Sequence, residues 1–173
     1  MKYVKLTQVL IVMAMLSCKP LLAPNLDKYQ LEQKQSNMRR IARLDELMSS
    51  DFSPENLREL LFLLDAPDPQ VIYNQARLET ANFTSNVFRR TNGCFCMHLP
   101  RVRPTTSNGY IIADNGSRVA KYDTWVDSVL DLLLYFEYYE GLGYDTSDYY
   151  SFLVEAGYCE LGSTYVVILK SMA

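Results

Sequence analysis

Two segments of the chain begin with a capping residue followed directly by proline, and this pattern restricts the fold more than any other feature. Ser53 precedes Pro54, and Asp68 precedes Pro69. A capping side chain accepts a hydrogen bond from the first helical turn, where proline fits because that turn needs no donor. Apolar residues then recur three and four positions apart, which is helical spacing. The pattern predicts short helices packed around a shared core.

Capping residues and terminal glycines predict three helices in the second half of the chain. Thr124 and Asp127 form a capping-box pattern ahead of a helix that ends near Gly141. Two further helices are expected at about residues 145–157 and 163–171. The second half of the chain is therefore expected to be mainly helical.

One hairpin interrupts the helical pattern. The runs YIIA at residues 110–113 and RVAKY at 118–122 flank an Asp-Asn-Gly-Ser turn at 114–117, and Asn-Gly between two such runs is a strong hairpin sign. Between Phe83 and this hairpin the pattern is irregular, so we expect loops there. The predicted fold class is α+β, predominantly α, with a helical lobe and a small β-hairpin lobe.

The N-terminus has the features of an export signal. Lys2 and Lys5 precede a short apolar run at residues 9–16. That run is much shorter than the roughly 20 residues that span a bilayer. Residues 16–18 read LSC and resemble a bacterial lipobox, so we expect lipidation of Cys18 and a periplasmic, membrane-anchored lipoprotein. An uncleaved anchor or release signal is the alternative.

Length and periodicity divide the chain into three parts. The 173 residues suit one globular domain with short appendages. We expect a signal at 1–18, a tether with an N-terminal helix at 19–52, and a globular domain at 53–173.

The net charge of −3 argues against general nucleic-acid binding, which needs a basic surface. Basic residues nevertheless gather in one stretch of the chain. They are Arg89, Arg90, Arg101, Arg103, Arg118 and Lys121. Solvated loops and contact with an anionic polymer are both consistent with this stretch.

Glu79 places a carboxyl group on an apolar helix face. Ile72, Ala76 and Glu79 lie three or four residues apart, so they share one face near the end of a helix. Partial burial disfavours the charged form and raises the pKa of a carboxyl group. A glycosidase general acid needs this, because it must be protonated to donate to the leaving oxygen. A solvated Glu at a fraying helix end is the alternative.

The residues around Glu79 resemble a known pair of motifs. Residues 75–85 read QARLETANFTS, similar to a Q-A-x-x-E-[ST] helix followed by an aromatic residue and Ser. Residues 92–98 read NGCFCMH and resemble an N-L-F-G-M-K segment, although Cys96 replaces the Gly of the tight turn. The matching positions are Asn92, Phe95 and Met97. Both motifs are typical of the glucosaminidase family of lysozyme-like peptidoglycan hydrolases.

Further motifs of this family follow in the same order. Residues 121–131 read KYDTWVDSVLD and fit a Y-x-[ST]-[WY]-x-x-S-[IV]-x-D helix, after the RPTT segment at 103–106. Residues 156–159 (AGYC) with Tyr165 resemble an A-G-Y-A…Y ending. The resemblance spans about residues 69–170.

The resemblance implies a lysozyme-like helical lobe, a small hairpin lobe and a glycan groove between them. The implied reaction is hydrolysis of the β-1,4 bond after N-acetylglucosamine in peptidoglycan strands, with no cofactor or metal. Glu79 is the implied general acid. Tyr122 and Tyr158 are implied groove tyrosines, and Tyr158 is also assigned to catalysis. Packing as ordinary core aromatics is the alternative for both tyrosines. Asp114 is the candidate second carboxylate, although Asp before Asn-Gly also suits a turn. Assistance by the substrate acetamido group is the alternative route.

Other motif positions receive roles by the same resemblance. Asn92, Phe95 and His98 are assigned to substrate binding. Three further acidic residues look structural, as caps and helix surface residues. They are Asp123, Asp127 and Asp131.

The cysteines allow several arrangements. With Cys18 lipidated, three remain, which permits at most one disulfide in an oxidising compartment. We expect Cys94 or Cys96 to pair with Cys159, and Cys96–Cys159 is the candidate pair. Reduced thiols are one alternative. Zinc held by these cysteines with His98 is another, although its spacing departs from the usual C-x₂₋₄-C.

Two functions other than catalysis stay open on the sequence. The cysteine substitutions in the NGCFCMH segment are consistent with a degenerate module that binds glycan without cutting it. A structural lipoprotein of the cell envelope, with the motifs retained only for packing, is the third hypothesis.

Overall fold

A computed structural model describes residues 28–172, which are mostly helical with one small antiparallel sheet. The expected signal at 1–18 and the lipidation candidate Cys18 lie outside the described residues. The helices are α1 (Lys28–Met48), α2 (Pro54–Leu63), α3 (Pro69–Glu79), α4 (Asn86–Thr91), α5 (Trp125–Gly141), α6 (Tyr149–Glu155) and α7 (Ser163–Lys170). The strands are β1 (Gly109–Ile112) and β2 (Arg118–Lys121). Across residues 28–172, no helix combines the length and apolar character needed to cross a membrane.

The chain divides into two units at the boundary between residues 41 and 42. In the first unit, the described side chains of α1 from residue 30 onward are exposed. They include Leu31, Met38 and Ile41. In the second unit, Leu44 packs against the core and Leu47 is only 1% exposed. The compact unit therefore begins within α1, earlier than the boundary at residue 53 that periodicity suggested.

The capping residues predicted from the sequence cap their helices. Ser53 and Asp68 each accept a hydrogen bond from the backbone N–H three residues later. Thr124 and Asp127 form both reciprocal bonds of a capping box. α3, the helix that carries Glu79, is capped by Asp68 and packs between α2 and α7.

Two helices differ from the sequence prediction. α4 lies where loops were expected: Ser85 accepts a hydrogen bond from Phe88 N at 3.1 Å, and the helix buries Phe88 and Thr91. Six residues are too few to show a helical period, which is why the pattern looked irregular. α6 starts later than residue 145, because Asp148 is its N-cap.

The hairpin forms at the predicted place and gains a neighbouring segment. β1 pairs with β2 in antiparallel register, with Ile111 opposite Val119. On the other side of β2, Ala120 N donates to Met97 O and Leu99 N donates to Arg118 O. Residues 97–99 thus extend the sheet beside β2.

The core of the compact unit is rich in aromatic rings. One group surrounds Phe52, whose ring centroid lies 4.8 Å from that of Phe88 and 5.9 Å from that of Trp125. A second group joins the middle of α5 to α6 through Phe136 and Phe152, 5.4 Å apart. α5 contacts both groups through Trp125 and Phe136, so it is fixed at both places in the core.

Candidate active site

A groove of about 890 Å³ runs along the compact unit, with the end of α3 in its wall. Its other walls come from four parts of the chain: the loop at 95–103, the hairpin turn at 113–117, the outer face of α5 and the segment at 156–161. α5 contributes three tyrosines, Tyr135, Tyr138 and Tyr139. Glu79, the last residue of α3, is therefore presented to the groove by a helix that is itself buried.

A left-handed turn ends the helix directly after Glu79. Thr80 Oγ1 donates to Ala76 O at 2.6 Å and accepts from Phe83 N at 2.9 Å. Ala81, Asn82 and Phe83 have φ of 50°, 54° and 63°. This conformation costs an L-residue with a Cβ roughly 1–2 kcal/mol. The ring at position 83 packs in the aromatic core, which stabilises the turn and so holds the helix end in place.

The Glu79 carboxyl group is half-buried and has one hydrogen-bond partner. The hydroxyl of Tyr165, on α7, donates to Glu79 Oε1 at 2.5 Å. Within residues 28–172, no hydrogen bond reaches Oε2. Burial raises the pKa of Glu79 and the Tyr165 hydrogen bond lowers it, and the net pKa is raised. The protonated acid is therefore favoured over a larger pH range than for a solvated Glu.

The loop at residues 94–98 contacts the end of α3 through Cys96. Cys96 has φ 46°, a left-handed conformation that usually favours glycine. Its Sγ donates to the backbone oxygen of Glu79 at 3.3 Å. Burial, and then the nearby Glu79 charge, raise the pKa of the Cys96 thiol to about 11. The thiol thus supports the helix end in its neutral form.

Tyr158 lines the groove, and its hydroxyl is already engaged. The hydroxyl donates to Phe95 O at 2.6 Å, and the ring lies 5.9 Å from that of Tyr165. Burial, and then the charge of Glu79, raise the pKa of Tyr158. Tyr158 therefore ties the 94–98 loop to the C-terminal segment beside Glu79.

The structure brings most of the sequence-predicted site residues to this one groove. The groove is lined by Glu79, Phe95, Cys96, His98, Asp114, Tyr158 and Cys159. Asp114 lies exposed at the hairpin turn and His98 lies exposed beside β2. Phe95 is only 1% exposed, so its ring packs beneath the groove surface and offers no face on which a sugar could stack.

Two residues assigned to substrate binding, Tyr122 and Asn92, lie outside the groove wall. Tyr122 is 1% exposed, and its hydroxyl donates to Asp131 Oδ2 at 2.8 Å inside the core. Asn92 ends α4 with φ 54°, and its Nδ2 donates to the backbone oxygens of Tyr122 and Asp123 at 3.2 and 3.0 Å. These bonds hold the chain after β2 to α4 and α5, and neither residue lines the groove.

Asp131 is a buried ion-pair partner, so its expected structural role is confirmed and its expected place on the helix surface is wrong. Its side chain is 0% exposed, and the Arg103 guanidinium donates to both of its oxygens at 2.9 Å. Burial alone raises the pKa of Asp131, but the hydrogen bonds and charge of Arg103 and the hydroxyl of Tyr122 outweigh it, so the net pKa is lowered. This pair fixes the 103–106 segment, one edge of the groove, to α5.

The cysteines are not joined in the structure. Cys94, Cys96 and Cys159 are all free thiols, so the candidate Cys96–Cys159 disulfide is not formed. Cys94 is fully buried, and burial raises its thiol pKa to about 12. In the described part of the chain, no group of three or more His, Cys, Asp or Glu side chains has a metal-binding arrangement.

Tyr165 is the site residue that sequence reasoning left without a role. It was matched only as the last position of the AGYC…Y ending, and its bond to Glu79 joins residues 86 positions apart. The groove tyrosines of α5 were also missed, since aromatic residues on a helix face look the same in a core and in a groove.

Comparisons of the chain with models of known protein families, with curated proteins and with solved structures found no match.

Proposed function

We propose that the protein is a peptidoglycan hydrolase of the glucosaminidase kind, with Glu79 as its general acid. The observation that carries the proposal is the half-buried Glu79 carboxyl in the groove wall, with a raised pKa and no hydrogen bond on Oε2 within the described residues. A general acid in glycoside hydrolysis must hold a proton near neutral pH and deliver it to the bridging oxygen.

The two Glu79 oxygens have different tasks in this mechanism. Oε1 accepts the hydrogen bond from Tyr165, which orients the carboxyl group. Oε2 carries the proton and transfers it to the glycosidic oxygen as the bond to the anomeric carbon breaks. The carboxylate that remains is stabilised by the Tyr165 hydroxyl, because a hydrogen bond to the charged form favours that form.

Water completes the reaction by adding to the anomeric carbon and losing a proton. Asp114 is the candidate base, since it is an exposed carboxylate on the hairpin wall of the same groove. Attack by the substrate acetamido oxygen, followed by hydrolysis, is the alternative and needs no second carboxylate.

The groove suits a glycan chain in shape and lining. Its volume is in the range of ligand-binding clefts. The tyrosines of α5 in its wall offer rings for sugar faces and hydroxyls for sugar oxygens. We extend the proposal to a lysozyme-like arrangement, with the helices as one lobe and the hairpin as the other. Export as a periplasmic lipoprotein through Cys18 would place the enzyme beside its substrate.

The test is digestion of purified peptidoglycan by the full chain, with mass spectrometry of the released fragments. The wild type is expected to release fragments ending in reducing N-acetylglucosamine. Glu79→Gln should reduce the rate roughly 10²–10⁴-fold, the usual contribution of general acid catalysis. Glu155→Gln, which changes an exposed acid on α6 outside the groove, is the matched control and should cleave like the wild type.

Two results would contradict the proposal. Undiminished cleavage by Glu79→Gln would remove Glu79 from the mechanism. Wall binding by the wild type without release of reducing ends would instead identify a glycan-binding module.

A further inference from the structure

A basic recess continues the groove at the side of the hairpin. It has a volume of about 440 Å³ and is lined by His98, Leu99, Pro100, Arg101, Ser117 and Arg118. All of these except Arg118 also line the groove itself. A ligand lying in the groove can therefore reach into the recess without crossing a barrier of protein.

The recess differs from the groove in charge. The groove carries three carboxyl groups, those of Glu79, Asp114 and Glu160, whereas none lines the recess. The side chains of Arg101 and Arg118 are exposed, and within residues 28–172 neither forms an ion pair. An anionic group attached to a bound ligand is therefore attracted to the recess, where no carboxylate offsets the charges of the two guanidinium groups.

The backbone of the recess is held in place by the sheet. Leu99 N donates to Arg118 O at 3.1 Å, and His98 bridges Val119 across the same ladder. The guanidinium of Arg118 lies over the Tyr110 ring, 5.1 Å from its centroid. Arg118 thus has a preferred position at the mouth of the recess, which lowers the entropy cost of binding an anion.

We propose that this recess binds a carboxylate of the peptide that branches from the glycan strand. The proposal rests on the proposed function, because it assumes that a glycan occupies the adjoining groove. Arginine suits this ligand, since its planar guanidinium can donate two parallel hydrogen bonds to one carboxylate. The recess would then make the protein prefer peptide-bearing strands to bare glycan, while Glu79 acts on either.

The test compares two glycan ligands on the full chain carrying Glu79→Gln, which prevents turnover during calorimetry. One ligand is a peptide-bearing glycan fragment, and the other is the same fragment after an amidase has removed the peptides. Adding Arg101→Gln and Arg118→Gln should weaken binding of the peptide-bearing fragment roughly three- to tenfold, as expected for two exposed ion pairs. Binding of the bare fragment should not change.

The control is the pair Arg89→Gln and Arg90→Gln, which removes the same charge from exposed positions on α4 outside the recess. It should leave both affinities unchanged. Inorganic phosphate is the competing probe: a recess that binds it, with no preference for the peptide-bearing fragment, is a phosphate site and overturns the proposal. Equal losses for both fragments, or none, overturn it as well. Lack of cleavage by the wild type, with the peptide preference present, would overturn only the hydrolase assignment.

Discussion

Glu79 is a half-buried carboxyl group and Asp131 a fully buried one, and the structure shifts their pKa values in opposite directions. Each accepts a hydrogen bond from a tyrosine hydroxyl, Tyr165 in one case and Tyr122 in the other. Only Asp131 also has a cation, the guanidinium of Arg103. The pKa of Glu79 is therefore raised by burial, whereas that of Asp131 is lowered despite burial.

The comparison shows that the partner, more than burial, decides what a carboxyl group can do. A neutral tyrosine leaves a buried acid able to hold a proton, which suits general acid catalysis. An arginine keeps the carboxylate charged and turns it into a structural anchor. The protein thus has one carboxyl group in the groove wall whose protonated form is favoured, and one in the core that stays charged beside Arg103.

The largest effect is expected from breaking the structural pair. Asp131→Asn leaves Arg103 buried without a counter-charge and should lower the free energy of unfolding by about 3–5 kcal/mol. Glu79→Gln should change it by no more than about 1 kcal/mol, because Gln can still accept the Tyr165 hydrogen bond. Urea unfolding measures both, with Asp45→Asn on the exposed face of α1 as control. Equal costs at positions 79 and 131 would refute the contrast.

The pH dependence of stability should run in opposite directions for the two groups. Asp131 has a lowered folded pKa, so its contribution is present above about pH 3.9 and is lost as pH falls through the folded pKa. Glu79 has a raised folded pKa, so its contribution is present below about pH 4.3 and is lost as pH rises through the folded pKa.

This pH prediction is checked by unfolding the wild type, Asp131→Asn and Glu79→Gln across a pH series. The deficit of Asp131→Asn should shrink in acid. The stability of Glu79→Gln relative to the wild type should grow as pH rises. Parallel curves for all three proteins would count against the assigned shifts.

Removing the tyrosine hydroxyl from the Glu79 site should make the contrast sharper. In Tyr165→Phe, burial remains but the hydrogen bond that lowers the pKa is gone, so the Glu79 pKa should rise further. Carboxyl carbon chemical shifts followed by NMR titration report this directly. Tyr158→Phe is the matched control, because that hydroxyl bonds Phe95 O and not Glu79. An unchanged or lower Glu79 pKa in Tyr165→Phe would show that the bond has no such role.

The smallest effect is expected in the backbone that follows Glu79. Ala81 has φ 50°, where glycine lies without strain, so Ala81→Gly should stabilise the protein by about 1 kcal/mol. Ala156, at the end of α6, has φ −73°, and Ala156→Gly should destabilise it by roughly 0.5–1 kcal/mol. Thermal unfolding should give opposite signs, and a loss in both variants would mean that the turn after Glu79 is not strained.

Local features were predictable where a few neighbouring residues decide the outcome. The Ser53 and Asp68 caps, the Thr124 capping box and the Asn-Gly hairpin form as the sequence indicated. The placement of Glu79 on a buried helix face also followed from spacing alone. Helix α4 escaped detection because six residues carry no measurable period.

The candidate site was predictable only in part. Motif resemblance brought Glu79, Asp114 and Tyr158 forward, and all three line one groove. It could not show that Tyr122 is turned into the core, because a tyrosine at the end of a strand reads the same on either side of a sheet. Nor could it pair Tyr165 with Glu79, since contacts between distant residues leave no periodic trace in one sequence.

The amino-acid sequence by itself determined where helices start, where the hairpin turns and which acid lies on an apolar stripe. These properties depend on hydrogen bonds and side-chain spacing within one or two turns of chain. The tertiary structure decided which partner each buried carboxyl group has: Tyr165 for Glu79, and Arg103 with Tyr122 for Asp131. The pKa of a buried group depends on charges and donors that folding brings within a few ångströms, so the chemistry of the two acids was settled only by the fold.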